Sequence, residues 1–156
     1  MNPQNRTETS SIFMLLMSTN QATLELRVNG TNSFFNGLRV ESNSILTGDG
    51  SIVANVTNTD GGTLSPGFGI GRLTIFPGLM LSAGSTNIFE LNHAASTNDS
   101  ITGMTNVTYA GVLVVTNLAG TLTNGTTFRL FSASNYAGAF DSFIADPPAP
   151  GLKRTA

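Results

Sequence analysis

The chain has 156 residues and a formal net charge of −2, and only 10% of its residues are charged, against about 25% in an average soluble domain. With 40% hydrophobic residues it can bury one sizeable core, which argues against a disordered chain. The seven Lys and Arg residues are scattered until Lys153–Arg154, so no basic stripe favours a nucleic-acid partner. The absence of cysteine excludes disulfides and thiolate metal sites.

The apolar run Ile12–Met17, preceded by Arg6, is the one candidate targeting segment. It is too short to span a bilayer, and it falls just below the roughly 7–15 residues of a signal-peptide core. Two interpretations of residues 1–20 stay open, a capping strand and a degraded signal region. We predict no membrane span, and no export signal is evident.

From Gln21 onward, short alternating runs are separated by turn residues such as Asn29–Gly30 and Pro66–Gly67, and no window shows helical periodicity. The sequence therefore predicts an all-β domain over residues 21–143, followed by a Pro-rich tail over residues 144–156. The predicted strands are Thr23–Val28, Gly37–Glu41, Ser51–Val56, Arg72–Phe76, Thr86–Leu91, Thr105–Tyr109, Val112–Thr116 and Thr127–Ser132.

Two architectures fit these strands: an antiparallel sandwich, and a coil whose successive turns stack strands in parallel, as in a β-helix. Antiparallel pairing of the first two predicted strands would set Glu25 opposite Glu41 and Arg27 opposite Arg39, two like-charge pairs. Parallel pairing at an offset of fourteen residues would instead set Glu25 against Arg39 and Arg27 against Glu41. The charges therefore favour the coil, with the sandwich as the alternative.

The segments Ile45–Val53, Gly62–Gly67 and Ile70–Ile75 combine glycine corners with apolar strands. They resemble the autotransporter-associated β-strand repeat, which occurs in bacterial surface and secreted proteins. The resemblance covers about residues 23–151 and implies the last coils of a right-handed parallel β-helix, ending in a more elaborate sheet at Val107–Phe143. It also implies an extracellular or cell-surface location for a segment of a longer solenoid, and says almost nothing about activity.

Asp49 and Asp60 each precede glycine at a predicted corner, where carboxylate and carbonyl oxygens suit Ca²⁺. Asp before Gly also simply forms turns, and no G-G-x-G-x-D nonapeptide repeat supports calcium. His93, the only histidine, has no cysteine or second histidine to complete a metal site. We therefore predict turn residues at Asp49 and Asp60, a loop histidine at His93, and neither a metal site nor a cofactor.

Hydrolysis of a glycoside needs two carboxylates about 5–10 Å apart. The candidate carboxylates are isolated along the chain, and nothing in the sequence marks a pair; they are Glu25, Glu41, Glu90, Asp99 and Asp141. Ser65 lies in no nucleophile-elbow pattern, and Gly67–Gly71 precedes a strand rather than the helix that a phosphate loop requires. The sequence therefore predicts no catalytic residue and no enzymatic activity.

Aromatic residues and glycosylation sequons remain as candidate surface features. Phe34, Phe35 and Phe68 would stack on carbohydrate if exposed, but a narrow solenoid needs large apolar residues inside, so we expect them in the core or at an end. The Asn-x-Ser/Thr sequons have a role only in a host that glycosylates exported proteins, and they begin at Asn5, Asn29, Asn55, Asn98, Asn106 and Asn124.

The sequence as a whole predicts a non-enzymatic structural or adhesive module, acting as a stalk, a spacer or a polyvalent binding surface. A carbohydrate-binding or carbohydrate-cleaving β-helix is the alternative. The expected partners are carbohydrate or the surface of a host or neighbouring cell. Open coil ends expose unpaired strand edges, so we also expect end-to-end self-association.

Overall fold

The structure is a computed structural model that describes residues 24–146. Within these residues the chain forms strands and no helix, and so it contains no helix long and apolar enough to cross a membrane. The predicted N-terminal segment, residues 1–20, lies outside the described residues. The strands, in chain order, are β1 (Leu24–Val28), β2 (Thr31–Ser33), β3 (Leu38–Val40), β4 (Ser44–Gly48), β5 (Ser51–Val53), β6 (Val56–Asn58), β7 (Thr63–Pro66), β8 (Arg72–Phe76), β9 (Gly78–Leu81), β10 (Thr86–Asn92), β11 (Thr97–Asn98), β12 (Ser100–Tyr109), β13 (Val112–Asn117), β14 (Phe131–Gly138) and β15 (Ser142–Asp146).

These strands form two curled sheets of almost entirely parallel strands. The first sheet has the order β1-β4-β7-β10-β13-β15. The second sheet has two arms, β2-β5-β8 and β3-β6-β9, which the long strand β12 joins by pairing with β8 near its start and with β9 near its end. Antiparallel pairing among the described residues is limited to β10 with β11 and to an isolated bridge between Gly48 and Gly67. The predicted parallel β-helix is therefore confirmed, and the antiparallel sandwich is wrong.

Each coil runs from the first sheet through the first arm to the second arm, as in β1-β2-β3, β4-β5-β6 and β7-β8-β9. Leu24 lies opposite Ser44 and Leu38 opposite Val56, so the first coils take about 20 residues each. Later coils are longer, since Thr86 lies opposite Val112 and Val112 opposite Ser142. The backbone groups of one coil thus find their hydrogen-bond partners in the coils before and after it, as a solenoid requires.

The structure does not form the charge pairs predicted between the first two predicted strands. The parallel strand direction that those pairs favoured is nevertheless the direction found in both sheets. Residues 24–28 and 38–40 belong to the same coil and lie in different sheets, so Glu25 faces Ile45 rather than Arg39. Arg39 instead pairs with Glu41 beside it, with Arg39 Nε 2.7 Å from Glu41 Oε1. Both side chains of that pair are more than half exposed, and it contributes little to stability.

Alternation along each strand separates core from surface. In β8, Leu73 and Ile75 are fully buried while Arg72 is exposed, because successive side chains of a strand point to opposite faces. Strand β10 follows the same rule and buries Asn87, Phe89 and Leu91. Stacked coils align such inward residues in columns, which build one continuous apolar core.

Two asparagines interrupt these apolar columns and bond to each other. Asn58 and Asn87 are both fully buried, and Asn58 Nδ2 donates to Asn87 Oδ1 at 3.0 Å and to the carbonyl of Thr86 at 3.1 Å. Asn87 Nδ2 donates in turn to the carbonyl of Val112 and to Ser85 Oγ, whereas Asn58 Oδ1 is buried without a partner. These amides tie the second coil to the fourth and fifth at the corner between the second arm and the first sheet.

The last coils contain a cluster of aromatic rings. The ring of Tyr109 lies 5.2 Å from that of Phe131 and 4.9 Å from that of Phe140, and Phe131 lies 4.8 Å from Phe89. Burial raises the pKa of Tyr109 to about 12, and neighbouring Tyr136 adds to the rise. The cluster packs against the apolar core in the region where β12 and β14 form the longest strands.

Candidate functional site

One corner of the solenoid lengthens from coil to coil. The turn from the first sheet to the first arm covers residues 29–30, 49–50, 67–71, 93–99 and 118–130 in successive coils, and we call this set the loop corner. The turn from the second arm back to the first sheet stays short throughout, at residues 41–43, 59–62, 82–85, 110–111 and 139–141. Insertions that gather on one face of a repeat protein often mark its binding face. The loop corner is therefore the first place to look for a site.

Neighbouring loops of the loop corner hold each other. The amide of Ala94 donates to the carbonyl of Ala119 at 3.2 Å, and Asn98 Nδ2 donates to the carbonyl of Arg129 at 2.9 Å. His93 Nε2 lies 3.3 Å from the hydroxyl oxygen of Thr126. The last two loops are thus tied together by polar contacts and form one continuous surface.

The loop of the third coil, Gly67–Gly71, folds back over the outer side of the first sheet. The amide of Gly67 donates to the carbonyl of Gly48 at 2.9 Å, and the hydroxyl of Thr47 donates to the carbonyl of Gly67 at 2.7 Å. Phe68, at the exposed tip, lies under Arg27, whose guanidinium carbon is 3.4 Å from the ring centroid. This cation–π contact joins the first coil to the loop of the third.

A groove of about 250 Å³ lies between this loop and the first sheet. Its lining includes the aromatic ring of Phe68, the carboxylates of Glu25 and Glu90, and the hydroxyl-bearing residues Thr47 and Ser65. Glu90 Oε2 is buried without a hydrogen-bond partner. The groove thus combines an apolar wall, hydroxyl groups and negative charge.

Asp99 holds the inner end of the same loop. Its side chain is only 1% exposed, and its two carboxylate oxygens accept from the amides of Gly71 and Glu90, each at 2.7 Å. Burial raises the pKa of Asp99 to about 6, against the two amide donors, which lower it; the negative charges of Glu90 and Asp49 add to the rise. Three carboxylates therefore interact at the base of this loop.

Comparison of the chain with protein-family models, curated proteins and solved structures finds no match. What the site can bind therefore follows only from the arrangement of its own residues. Carboxylates, hydroxyls and an aromatic ring can bind polar ligands that carry a positive charge or a sugar-like C–H face.

The structure keeps the predicted turn aspartates apart. Asp49 lies at the loop corner and Asp60 at the opposite corner, and both are exposed. Among residues 24–146, no group of three His, Cys, Asp or Glu side chains is placed to hold a metal ion.

Of the candidate carboxylates, Glu25 and Glu90 line one groove and Asp99 lies at the base of its loop, whereas Glu41 and Asp141 lie elsewhere. Glu41 bonds Arg39 and the hydroxyl of Thr59, which together lower its pKa. Asp141 accepts from the amide of Gly111 at 2.8 Å and so anchors a short turn. His93 lies in a loop, as predicted, where it meets Thr126 and the edge of the Phe128 ring.

The three aromatic residues were predicted to pack in the core or at an end of the solenoid, and among the described residues only Phe34 does so. Phe35 is 97% exposed and Phe68 is 62% exposed, whereas Phe34 packs against the core. Phe34 and Phe35 are neighbours in a turn and cannot both point inward, and Phe68 belongs to a loop that leaves the coil. A loop longer than its corner needs, with a large aromatic residue flanked by glycines, is the sequence signal that could have marked Phe68 as exposed.

The structure shows which sequon asparagines are exposed and which are used within the fold. Asn29, Asn55, Asn106 and Asn124 are exposed. The amide of Asn98 is used within the fold, since it donates to Asp99 and Arg129. The sequon at Asn5 lies outside the described residues.

Asp99 is expected to make the protein less stable as the pH rises from about 4 to about 7, because burial disfavours its ionised form. The carboxyl group has a pKa of about 6 in the folded protein and 3.8 in the unfolded chain. Its contribution to the free energy of unfolding is fully present below pH 3.8, and it is lost as the pH rises through about 6. The expected loss is about 2 kcal/mol. Chemical denaturation at a series of pH values measures it.

Asp99→Asn is the matched variant, since it cannot ionise and should flatten this dependence. It should also lower stability at about pH 5, because an amide offers one acceptor to two N–H donors. His93→Gln is the control, because it removes the one histidine of the chain and leaves Asp99 untouched. If Asp99→Asn retains the full pH dependence, the buried carboxylate is not its source.

Proposed function

We propose that the protein is a non-enzymatic structural and adhesive module of a longer bacterial surface or secreted solenoid, of the autotransporter-associated repeat type. The observation that carries this proposal is the contrast between the two corners: one is uniform from coil to coil, and the other carries loops of increasing length. A uniform stack makes a spacer, whereas a row of unequal loops makes a binding surface.

The composition of the surface supports adhesion through many weak contacts. Few residues are charged, and the exposed loops are rich in Thr, Asn and Gly. Such groups form hydrogen bonds that are individually weak, and simultaneous attachment at many sites raises the overall affinity. Carbohydrate at a host or neighbouring cell surface is the partner class that this chemistry suits. End-to-end association stays a prediction.

The groove favours carbohydrate as the ligand of the adhesive module. It is also the place where the alternative function, cleavage of carbohydrate, would occur. Its two glutamates come from the first and fourth coils, and Phe68 supplies the kind of ring on which sugar faces stack. Cleavage of a glycoside would need Glu25 and Glu90 to act as an acid and a base or nucleophile.

A panel of bacterial and host polysaccharides tests the proposal. The purified protein should be retained on some members while producing no new reducing ends and no unsaturated products. Glu25→Gln and Glu90→Gln are the diagnostic variants for catalysis. Turnover that either substitution abolishes would replace the structural proposal with an enzymatic one.

A further inference from the structure

We propose that Asn124 is a site of spontaneous deamidation, which converts its side-chain amide to a carboxylate in the longest loop of the loop corner. Asn124 is followed by Gly125, and both residues lie in the segment 118–130. The reaction involves only the chain's own backbone and side chain, and so it does not depend on the proposed adhesive function.

The reaction joins the side chain of asparagine to the backbone nitrogen of the next residue. The nitrogen of Gly125 attacks Cγ of Asn124 and forms a new N–Cγ bond. The Cγ–Nδ2 bond breaks, and ammonia leaves with the proton that the backbone nitrogen has lost. Water then opens the succinimide ring at either carbonyl carbon, which gives aspartate or isoaspartate. Water is the only other reactant.

The residue after the asparagine decides how easily this attack occurs. Glycine hinders it least, because glycine has no Cβ. The chain contains three Asn–Gly pairs, at 29–30, 36–37 and 124–125. The first pair lies close to the N-terminal limit of the described residues, so the other two provide the comparison. Their sequences are alike at the reacting positions, and the structure places them in different surroundings.

The turn at Asn124 leaves the nitrogen of Gly125 out of its closing hydrogen bond. The amide of Thr126 donates to the carbonyl of Thr123 at 3.2 Å, so Asn124 and Gly125 are the two central residues of a turn. Residues 123–127 are all exposed, and a Cβ on Gly125 would meet no atom within 4 Å. The side chain of Asn124 and the attacking nitrogen can therefore approach each other without displacing another part of the fold.

The turn at Asn36 instead uses the nitrogen that would have to attack. The amide of Gly37 donates to the carbonyl of Phe34 at 3.1 Å and closes that turn. A Cβ on Gly37 would lie 3.0 Å from the carbonyl oxygen of Asn55, and the amide of Leu38 donates to the same oxygen at 2.9 Å. The backbone is thus fixed on both sides of Gly37, and Asn36 should react slowly although it is exposed.

Deamidation at Asn124 would change the surface of the loop corner. Thr126 of the same turn contacts His93, so this turn belongs to the surface that the last two loops form together. Aspartate adds a negative charge there, and isoaspartate also lengthens the backbone by one carbon atom. The charge of this surface would therefore depend on the age of the molecule, and an older molecule would present a more acidic loop corner.

Peptide mapping by mass spectrometry measures the reaction. The purified protein is incubated in mildly alkaline buffer and then digested in mildly acidic buffer, in which deamidation is slow. Replacement of NH2 by OH raises the mass of a peptide, and isoaspartate elutes as a separate peak. Asn124 should react at least about fivefold faster than Asn36, because one hydrogen bond to the attacking nitrogen contributes about this factor. Equal rates, or a faster reaction at Asn36, would overturn the inference.

Two synthetic peptides, of residues 32–40 and 120–128, are the matched control, because they contain the same Asn–Gly pairs without the fold. Both peptides should react. The ratio of their rates gives the part of the difference that comes from the neighbouring residues in the sequence. If this ratio equals the ratio measured in the folded protein, the fold does not select Asn124 and the inference is wrong.

Variants assign the reaction to Asn124. Glutamine would have to close a six-membered ring, which forms far more slowly, so Asn124→Gln should lose the reaction in this loop. Ion-exchange chromatography of the intact protein should show acidic species forming more slowly in Asn124→Gln than in the wild type or in Asn36→Gln. Equal rates in all three proteins would place the reaction elsewhere. Asn124→Asp represents one product, and its thermal unfolding should match that of the wild type, because position 124 is exposed.

Discussion

Replacing Phe89 by alanine is expected to lower the free energy of unfolding by about 3–5 kcal/mol. Phe89 is fully buried in β10, and its ring lies 4.8 Å from that of Phe131. Truncation would remove the largest fully buried side chain of the described core and leave a cavity that coils held by backbone ladders cannot close. Urea denaturation followed by circular dichroism measures the loss.

Phe35→Ala is the matched control for this prediction. The same atoms are removed there from a residue that is 97% exposed, so the change should stay within about 0.5 kcal/mol. A similar loss at both positions would mean that Phe35 is buried in solution, by a second molecule or by another part of the chain. A small loss at Phe89 would contradict the packing of the fourth coil.

Gly48→Ala is expected to destabilise the protein by about 3 kcal/mol or more, through backbone strain and overpacking together. Gly48 has a φ of +117°, and a Cβ there would lie 2.1 Å from the carbonyl oxygen of Val28 and 2.6 Å from its nitrogen. These are backbone atoms of the neighbouring coil, so relief requires β1 to move away from β4. The bridge from Gly48 to Gly67 would also be disturbed, which should weaken ligand binding at the groove.

Gly125→Ala isolates the contribution of the close approach. Gly125 also has a positive φ, of +89°, but a Cβ there meets no atom within 4 Å. Its substitution should cost only the strain of the left-handed conformation, about 1–2 kcal/mol. If the two variants lose the same stability, the close approach of Gly48 to Val28 contributes nothing. Thermal unfolding of both variants in one buffer gives the comparison.

Alternation and turn residues were enough to predict an all-β chain, and alternation accounts for the burial of Leu73 and Ile75 in β8. The preference for a parallel coil over a sandwich came from the family resemblance and from charge pairs that the structure does not form, so the strand direction was right although the pairing was wrong. The predicted strands leave out β2, β4, β7, β9, β11 and β15 altogether. The two shortest of these have a clear physical reason. Thr31–Ser33 and Thr97–Asn98 consist of Thr, Asn and Ser, so they carry no hydrophobic alternation, and only pairing with neighbouring strands makes them extended. The predicted strand Ser51–Val56 is two strands, β5 and β6, separated by a turn.

Neither the pairing register of the strands nor the groove could be predicted from the sequence, and the reason is the same for both. Leu24 pairs with Ser44, Ile45 with Thr63, and Val56 with Leu79, so the coil length changes from one turn to the next. Without a fixed period, the sequence does not show that distant residues meet. Glu25, Phe68 and Glu90 come from three different coils, and only the folded stack places them around one groove.

The unequal loops give the levels of the stack different surfaces. A stack of identical coils would present the same surface at every level, and a partner could slide along it from one coil to the next without meeting a distinct position. Among the described coils the loop corner is two residues long at 29–30 and at 49–50, and it then grows through 67–71 and 93–99 to 118–130, so each level from the third coil onward presents a different outline. A long ligand lying along this corner would therefore bind in one orientation and at one level.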